Sequence, residues 1–298
     1  MKQNINNVKT KVLCQNSTDF LAGKQEPQFD LTFLDPPFNQ GKDYQLHNDA
    51  MPEDEYWNWM QEVSLRIFDN SSEGAALYFM HREKNTERVL QVVRASGWKL
   101  QNLIIWKKKT SAIPSNSRFG KQYQIIVFAT KGIRPRVFNK LRIDPPLPPE
   151  YKVQRNNGVF LTDIWDDIRE MTAGYLSGKE ALRDINGDRV HNQQSPVHLL
   201  LRIILSSSLP NDNIFDPFSG TGTTLVVAEQ LGRSTVGIEI DPENVEVIKG
   251  RLRSKRESDS VLKWYNYYRH TPDIETIWLN TNEPDAVTKS EKQLSILN

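Results

Sequence analysis

Apolar residues in this chain come in short runs between polar turns, and the spacing inside each run predicts an element. Phe29-Asp30-Leu31-Thr32-Phe33-Leu34 ends on Asp35-Pro36-Pro37, the pattern of a buried strand stopped by prolines that have no N–H for a sheet. Between Pro52 and Phe68, Trp59, Val63 and Ile67 recur every four positions, which predicts a helix with Pro52 near its start. Gly74 to Met80 predicts a strand, and Glu83 to Ser96 a helix with Val89, Val92 and Val93 inward and Gly97 as its stop. Leu100 to Trp106 and Gln124 to Thr130 predict two more strands. From Ile133 to Val190 the periodicity fades among Pro135, Pro145, Pro146, Pro148 and Pro149, with modest signals only near 159–164 and 180–182. Proline pairs suit a regular sheet poorly, so this stretch is expected to be an insertion or a smaller lobe. Regular pattern then returns as a helix (197–208), a strand (213–216), a helix (223–231), a strand (235–240) and a helix opened by Pro242. The tail from Glu257 holds Trp264, Tyr265, Tyr267, Tyr268 and Trp278 without a motif, and is expected to pack on the core.

Alternating strands and helices imply an α/β sheet with helices on both faces. At 298 residues and 38% hydrophobic composition, the chain can bury one full core, or one large domain with an insertion. No run approaches the ~18 apolar residues of a membrane crossing, and the polar start, Met1 to Asn7, lacks a secretory segment, so a cytoplasmic protein is expected. Cys14 is the sole cysteine, which excludes an intrachain disulfide and a cysteine-built zinc site. Net charge is only +1, but from Lys99 to Arg155 thirteen Lys and Arg face Asp144 and Glu150 alone. That window carries +11 and the remainder −10, a segregation expected where one face meets a polyanion.

Candidate chemistry begins with Phe215-Asp216-Pro217-Phe218-Ser219-Gly220-Thr221-Gly222-Thr223-Thr224, which runs from a strand into a helix. Gly220 and Gly222 permit positive φ and close approach of a ligand to the backbone. No lysine follows, so this is not a triphosphate cradle, and Leu225 stands where a dinucleotide fingerprint needs glycine. A nucleoside with a smaller charged group remains, met by N–H groups at the helix start. Glu239, at the end of the next strand, is placed to hold a ribose hydroxyl pair.

The second feature is Asp35-Pro36-Pro37-Phe38, at the carboxyl end of its strand, where α/β proteins bind ligands. An exocyclic amino group offers two N–H donors. Asp35 and the Pro36 carbonyl can accept one each while Phe38 stacks on the base. Paired acceptors draw the amine toward tetrahedral geometry and free its lone pair for methylation, and this chemistry calls for no metal. An aspartate of ordinary pKa near ~4 positions the amine and stabilises developing ammonium charge rather than acting as a strong base.

These two motifs together resemble the amino-methyltransferases of restriction-modification systems and their orphan relatives. That family pairs an Asp/Asn/Ser-Pro-Pro-Tyr/Phe corner with a Phe-x-Gly-x-Gly loop, here Asp35 to Phe38 and Phe218 to Gly222. The corner comes first and the loop last, the order of the beta group, and the resemblance spans roughly residues 10 to 255. It implies a Rossmann-like sheet dependent on S-adenosyl-L-methionine, with circularly permuted motifs and an inserted target recognition region. On this resemblance 10–132 is the catalytic part, 133–190 the target recognition region, 191–256 the cofactor-binding part and 257–298 a C-terminal tail. Leu13 to Leu21 is similar to the family's opening strand, turn and short helix, with Gln15-Asn16 replacing the usual Gly-Asp. Trp106-Lys107 and Tyr123 to Ala129 look like strands closing the base pocket. His191 to Val197 is similar to a His-x-x-Gln-Lys-Pro segment lining the methionine part of the cofactor, with Ser195 in place of lysine.

The resemblance thus assigns catalysis to Asp35, Pro36, Pro37 and Phe38. It assigns the cofactor to Asn16, Asp35, Gln194, Ser195, Asp216, Phe218, Gly220, Gly222, Thr223 and Glu239. Aspartate at the first corner position favours adenine N6, since cytosine N4 enzymes mostly carry serine there. Duplex phosphates fall to the basic window, with Lys107, Lys108, Lys109, Arg134, Arg136, Lys140, Arg142 and Arg155 as candidate contacts and arginines of 133–190 reaching guanine edges. A stacked adenine cannot reach a buried methyl donor and must rotate out of the duplex. Besides double-stranded DNA, a second copy of the chain and a cognate restriction endonuclease are the candidate partners, and no membrane is. Three alternatives stay open: cytosine N4 as target, RNA or a protein amide as substrate, and a non-catalytic nucleic-acid-binding module.

Overall fold

The structure is a computed structural model that describes residues 8–41, 43–44, 47–110, 113–145, 156–171, 178–183, 186–189 and 194–278. Its centre is an eight-stranded sheet. In chain order the strands are β1 (Thr10–Cys14), β2 (Phe29–Leu34), β5 (Ser71–Arg82), β6 (Lys99–Lys107), β7 (Tyr123–Thr130), β10 (Ile164–Trp165), β11 (Asn213–Asp216) and β12 (Ser234–Glu239). Two short hairpins, β3 (Asp43–Tyr44) with β4 (His47–Asn48) and β8 (Arg142–Ile143) with β9 (Val159–Phe160), lie outside it. The spatial order is β1-β12-β11-β2-β5-β7-β6-β10, and β7 runs against its two neighbours while every other pairing is parallel. The ends of β2, β11, β12, β5 and β6 therefore share one edge of the sheet, the carboxyl edge, and β7 carries the chain from that edge to the opposite one. This is the Rossmann-like arrangement that the resemblance implies.

Alternation along the strands explains the two-sided core. Ala76, Tyr78 and Met80 of β5 join Ile126 and Phe128 of β7 on one face, while Leu77 and Phe79 join Ile125, Val127 and Ala129 on the other. Each such buried side chain contributes roughly 1.5–3 kcal/mol of transfer free energy. The second face is covered by α2 (Glu53–Asp69) and α3 (Thr86–Ala95) through Met60, Val63, Ile67, Val89 and Val93, together with Leu21 of the short α1 (Ser17–Ala22). The first face is covered by α4 (Val197–Ser207) and α5 (Thr223–Gln230). The last long helix, α6 (Pro242–Arg253), begins at the Asp241 cap, whose side chain accepts from Glu243 N.

Every residue of α4 is buried, including Arg202. Its guanidinium forms a two-point pair with Asp167 and donates through Nε to Tyr268 Oη at 3.0 Å. Arg233, equally buried, donates to the carbonyls of Leu231, Ser208 and Ile277. Val261, Tyr268, Trp278 and α7 (Ile274–Ile277) complete this core, so the described part of the tail is bound to it by apolar packing and two arginines.

The stretch after Gly132 is tied closely to the main sheet and to α4. Within its described residues, β10 extends the sheet, Trp165 and Ile168 enter the core, and Asn139 donates to the carbonyls of Leu205 and Ser208 at the end of α4. Among the described residues no helix is long and apolar enough to cross a membrane.

Candidate active site

Three strand ends and one loop converge at the carboxyl edge. β2 delivers Asp35, β11 delivers Asp216, β12 delivers Glu239, and Ser195 stands two residues before α4. They border one open cavity whose walls include Asn16, Phe33, Pro36, Pro37, Trp59, Phe218, Gly220, Thr223 and Ile238.

The glycine loop is held by its own backbone and by Glu239. Glu239 accepts from Gly220 N at 2.8 Å and from Asp241 N at 2.9 Å. Gly220 and Gly222 have φ of 51° and 75°, the left-handed region, and a Cβ on Gly222 would stand 2.7 Å from Ile248 of α6. Gly237, a position without a sequence signal, lets Ser219 and Leu225 pack against β12, since a Cβ there would fall 2.5 Å from Ser219 Oγ. Asp216 accepts from Phe218 N at 3.1 Å. Burial, with Glu239 nearby adding to it, pushes the Asp216 carboxyl up to about 7, and burial also raises Glu239.

The corner is braced from behind. Tyr56 Oη donates to the Pro37 carbonyl at 2.8 Å and pairs with His81 Nε2 at 2.9 Å. His81 Nδ1 accepts from Arg82 N at 2.8 Å, so Nε2 carries the hydrogen and donates to Tyr56. Burial, helped by Arg82 and Lys84, pulls His81 down to about 3 and keeps it neutral. Ser195 Oγ donates to Asp35 Oδ2 at 3.1 Å, joining residues 160 positions apart. After Phe38 the chain turns through Asn39 at φ 52°, where Asp49 accepts from the N–H groups of Asn39 and Gln40.

The structure brings Asn16, Asp35, Pro36, Pro37, Ser195, Asp216, Phe218, Gly220, Thr223 and Glu239 to one cavity. Gly222 shapes the loop without lining the wall. Phe38 is 6% exposed, with its ring 4.7 Å from His81, so it backs the corner. The Gln194 amide accepts from Leu182 N and donates to the Glu180 carbonyl, so its side chain holds 180–182 beside the lining residue Ser195. His191 to Gln193 lie outside the described residues, as does Arg155. Tyr56, His81, Trp59, Asn244 and Gly237 escaped sequence reasoning. Asn244 alone left a hint, sitting in the first turn after the Asp241-Pro242 cap.

The basic window does not form one face, because β7 splits it. Lys107, Lys108 and Lys109 sit at the carboxyl edge where β6 ends. Arg136 is at the opposite edge: its backbone N–H donates to Gly74 O at the start of β5, and its guanidinium pairs with Asp30 and Asp212. Arg134 lies two residues from it, and Lys140 follows Asn139 at the far end of α4. Arg142 is engaged by the Asn157 carbonyl at 2.9 Å and the Phe160 ring at 4.0 Å. Arg136 and Lys140 thus lie toward the edge opposite the cavity.

Comparison with known proteins settles the family. A profile described as DNA methylase, of the N6/N4 methyltransferase group, matches residues 29–250. The chain belongs to this N6/N4 DNA methylase family. It is similar to the type II methyltransferase M.HinfI of Haemophilus influenzae, 28% identical over 97% of this chain and 78% of that protein. It is likewise 28% identical to the DNA adenine methyltransferase YhdJ of Escherichia coli (strain K12), over 75% of this chain and 76% of that protein. Among solved structures it shares the fold of the cytosine-N4-specific PvuII DNA methyltransferase, with TM-score 0.59, 17% identity and coverage of 93% and 97%. The family transfers a methyl group from S-adenosylmethionine to an exocyclic amine of DNA.

The cavity's chemistry fits that methyl donor. Asp35, Asp216, Glu239 and Asp241 line it, and among the described residues no Lys, Arg or His does. Such a wall repels phosphate and attracts a ligand carrying sulfonium and ammonium charge. Phe33, Trp59, Phe218, Ile238 and Ile240 supply apolar surface for a purine.

Proposed function

We propose that this N6/N4 DNA methylase methylates the N6 amino group of adenine in duplex DNA, with the target base rotated out of the helix to the Asp35 corner. The observation that carries this reading is the shared cavity: Asp35 and the loop of Gly220 and Glu239 border the same space, with Ser195 fixing one Asp35 oxygen. Glu239 would hold the ribose and Asp216 would face the cationic part of S-adenosylmethionine, which supplies an electrophilic methyl carbon when bound. Asp35 and the Pro36 carbonyl accept the two amine N–H bonds and orient the nitrogen lone pair toward the cavity. The Tyr56–His81 pair prevents the corner from relaxing, so these acceptors stay placed without reorganisation. Phe38, seated on His81, supports the base plane. The proton released from nitrogen leaves by way of the Asp35 carboxylate to water.

Aspartate at position 35 and the similarity to the adenine methyltransferase YhdJ favour adenine over cytosine N4. Similarity to the type II enzyme M.HinfI supports a role beside a cognate endonuclease. Lys107, Lys108 and Lys109 would grip phosphates at the carboxyl edge. Tritiated-methyl transfer compared across duplex DNA, RNA and protein tests the reading: label is expected in duplex DNA, and label confined to RNA or protein overturns it.

A further inference from the structure

The loop between β6 and β7 leaves the same carboxyl edge of the sheet as the corner and exposes two large apolar side chains. Phe119 is 95% exposed and Ile113 92%. Phe119 follows Arg118 and precedes Lys121, and the stem begins at Lys107 and Lys108, so apolar tips stand on a cationic base. A solvent-exposed aromatic costs the free protein solubility, and nothing in the described fold covers it.

The stem is held while the tip is bare. Lys108 N donates to Gln122 O at 2.7 Å, Lys109 N and Thr110 N each donate to Glu170 at 2.8 Å, and Lys121 pairs with Glu83 at 2.8 Å. At the tip Ser115 N donates to Arg118 O at 3.1 Å, closing a turn that presents Phe119. Glu83 lies two residues beyond His81, whose ring backs Phe38. The stem is thus tied to the same strand end that supports the base corner.

We infer that Phe119 is a wedge that enters the duplex stack where the target nucleotide leaves it, with Lys107 and Arg118 on the flanking phosphates. Extruding a base opens a gap whose closure competes with the extruded state, and an apolar ring in that gap removes the competitor. A pre-held stem reduces the ordering cost of insertion. The inference rests on the proposed DNA reaction but makes a separate claim, since methylation of an already unstacked base needs no wedge.

The test compares wild type, Phe119→Ala and Phe119→Leu on oligonucleotides carrying the sequence that becomes methylated in expressing cells. Each is supplied as matched duplex, as duplex mispaired at the target, and as single strand, with 2-aminopurine fluorescence at the target reporting extrusion. For Phe119→Ala the expected result is a loss of about tenfold or more in kcat/KM on matched duplex and a weaker extrusion signal. Single-strand and mispaired rates are expected to stay within about twofold, and Phe119→Leu to recover most of the duplex rate. An unchanged duplex rate, or an equal loss on all three substrates, overturns the wedge. A wild type that methylates no DNA in any form would instead overturn the function on which the wedge depends.

Discussion

Asp216 gives the sharpest handle on how the cavity holds its ligand. In the free protein its carboxyl is buried, lies near Glu239, shares its cavity with no basic side chain among the described residues and is pushed up to about 7. At pH 6 only about one tenth of it is ionised, and at pH 8 about nine tenths. A cationic cofactor that needs the carboxylate should therefore bind roughly tenfold more weakly at pH 6 than at pH 8, or ~1.4 kcal/mol. Stability of the free protein runs the other way. A carboxyl raised from 3.8 to about 7 contributes stability that is complete below about pH 4 and lost as pH rises through 7. The linkage ceiling is on the order of 4 kcal/mol. Asp216→Asn keeps an acceptor for Phe218 N and removes both effects. Calorimetric titration of S-adenosylmethionine across pH 6–8, comparing the two proteins, is the assay. The cofactor's α-amino group gains a proton in the upper part of that range in both titrations, so the difference isolates Asp216. Identical slopes for wild type and Asp216→Asn would refute this electrostatic account of the cavity.

Other expectations concern the scaffold. Tyr56→Phe removes the bond to the Pro37 carbonyl and strands His81 Nε2, and should lower kcat by about tenfold with cofactor KM unchanged; an equal rise in KM would mean a general loss of fold. Gly222→Val places a branched side chain at φ 75° against Ile248, and should cost roughly 1–3 kcal/mol and abolish the cofactor's shift of the unfolding temperature; a normal shift would show the loop tolerates it. Asp167→Ala leaves buried Arg202 without its carboxylate and should destabilise by about 3 kcal/mol in denaturant unfolding, whereas under 1 kcal/mol would show that Tyr268 suffices.

Much of the sheet was legible because its signals are local. Strands β2, β6, β7, β11 and β12 are short apolar runs, and Asp35 and Glu239 stand where those runs stop. The lower half of β5 was hidden because Ser71, Ser72 and Glu73 look like a turn; a register shift opposite Phe29–Leu31 admits them to the sheet. Two-residue β10 gave no periodicity to read. The anchoring of the stretch after Gly132 is not legible because its anchors are polar: Arg136, Asn139 and Asp167 resemble surface residues until Asp212, the end of α4 and Arg202 are seen beside them. The +11 window suggested one DNA-facing surface, but sequence proximity says nothing about which edge a residue reaches once a strand crosses the sheet. At the site, the braces were invisible for a similar reason. Tyr56 sits 19 residues from Pro37, and Ser195 sits 160 from Asp35. Gln194 is named by resemblance alone, and no local pattern reveals that its amide also holds 180–182.

Mass-spectrometric nucleoside analysis of duplex DNA treated with S-adenosylmethionine and either wild type or Asp35→Ala tests the central claim most directly. N6-methyladenine is expected from wild type and none from the variant, with cofactor binding retained by both. N4-methylcytosine from wild type would contradict the choice of base, and undiminished methylation by Asp35→Ala would contradict the role of the corner itself.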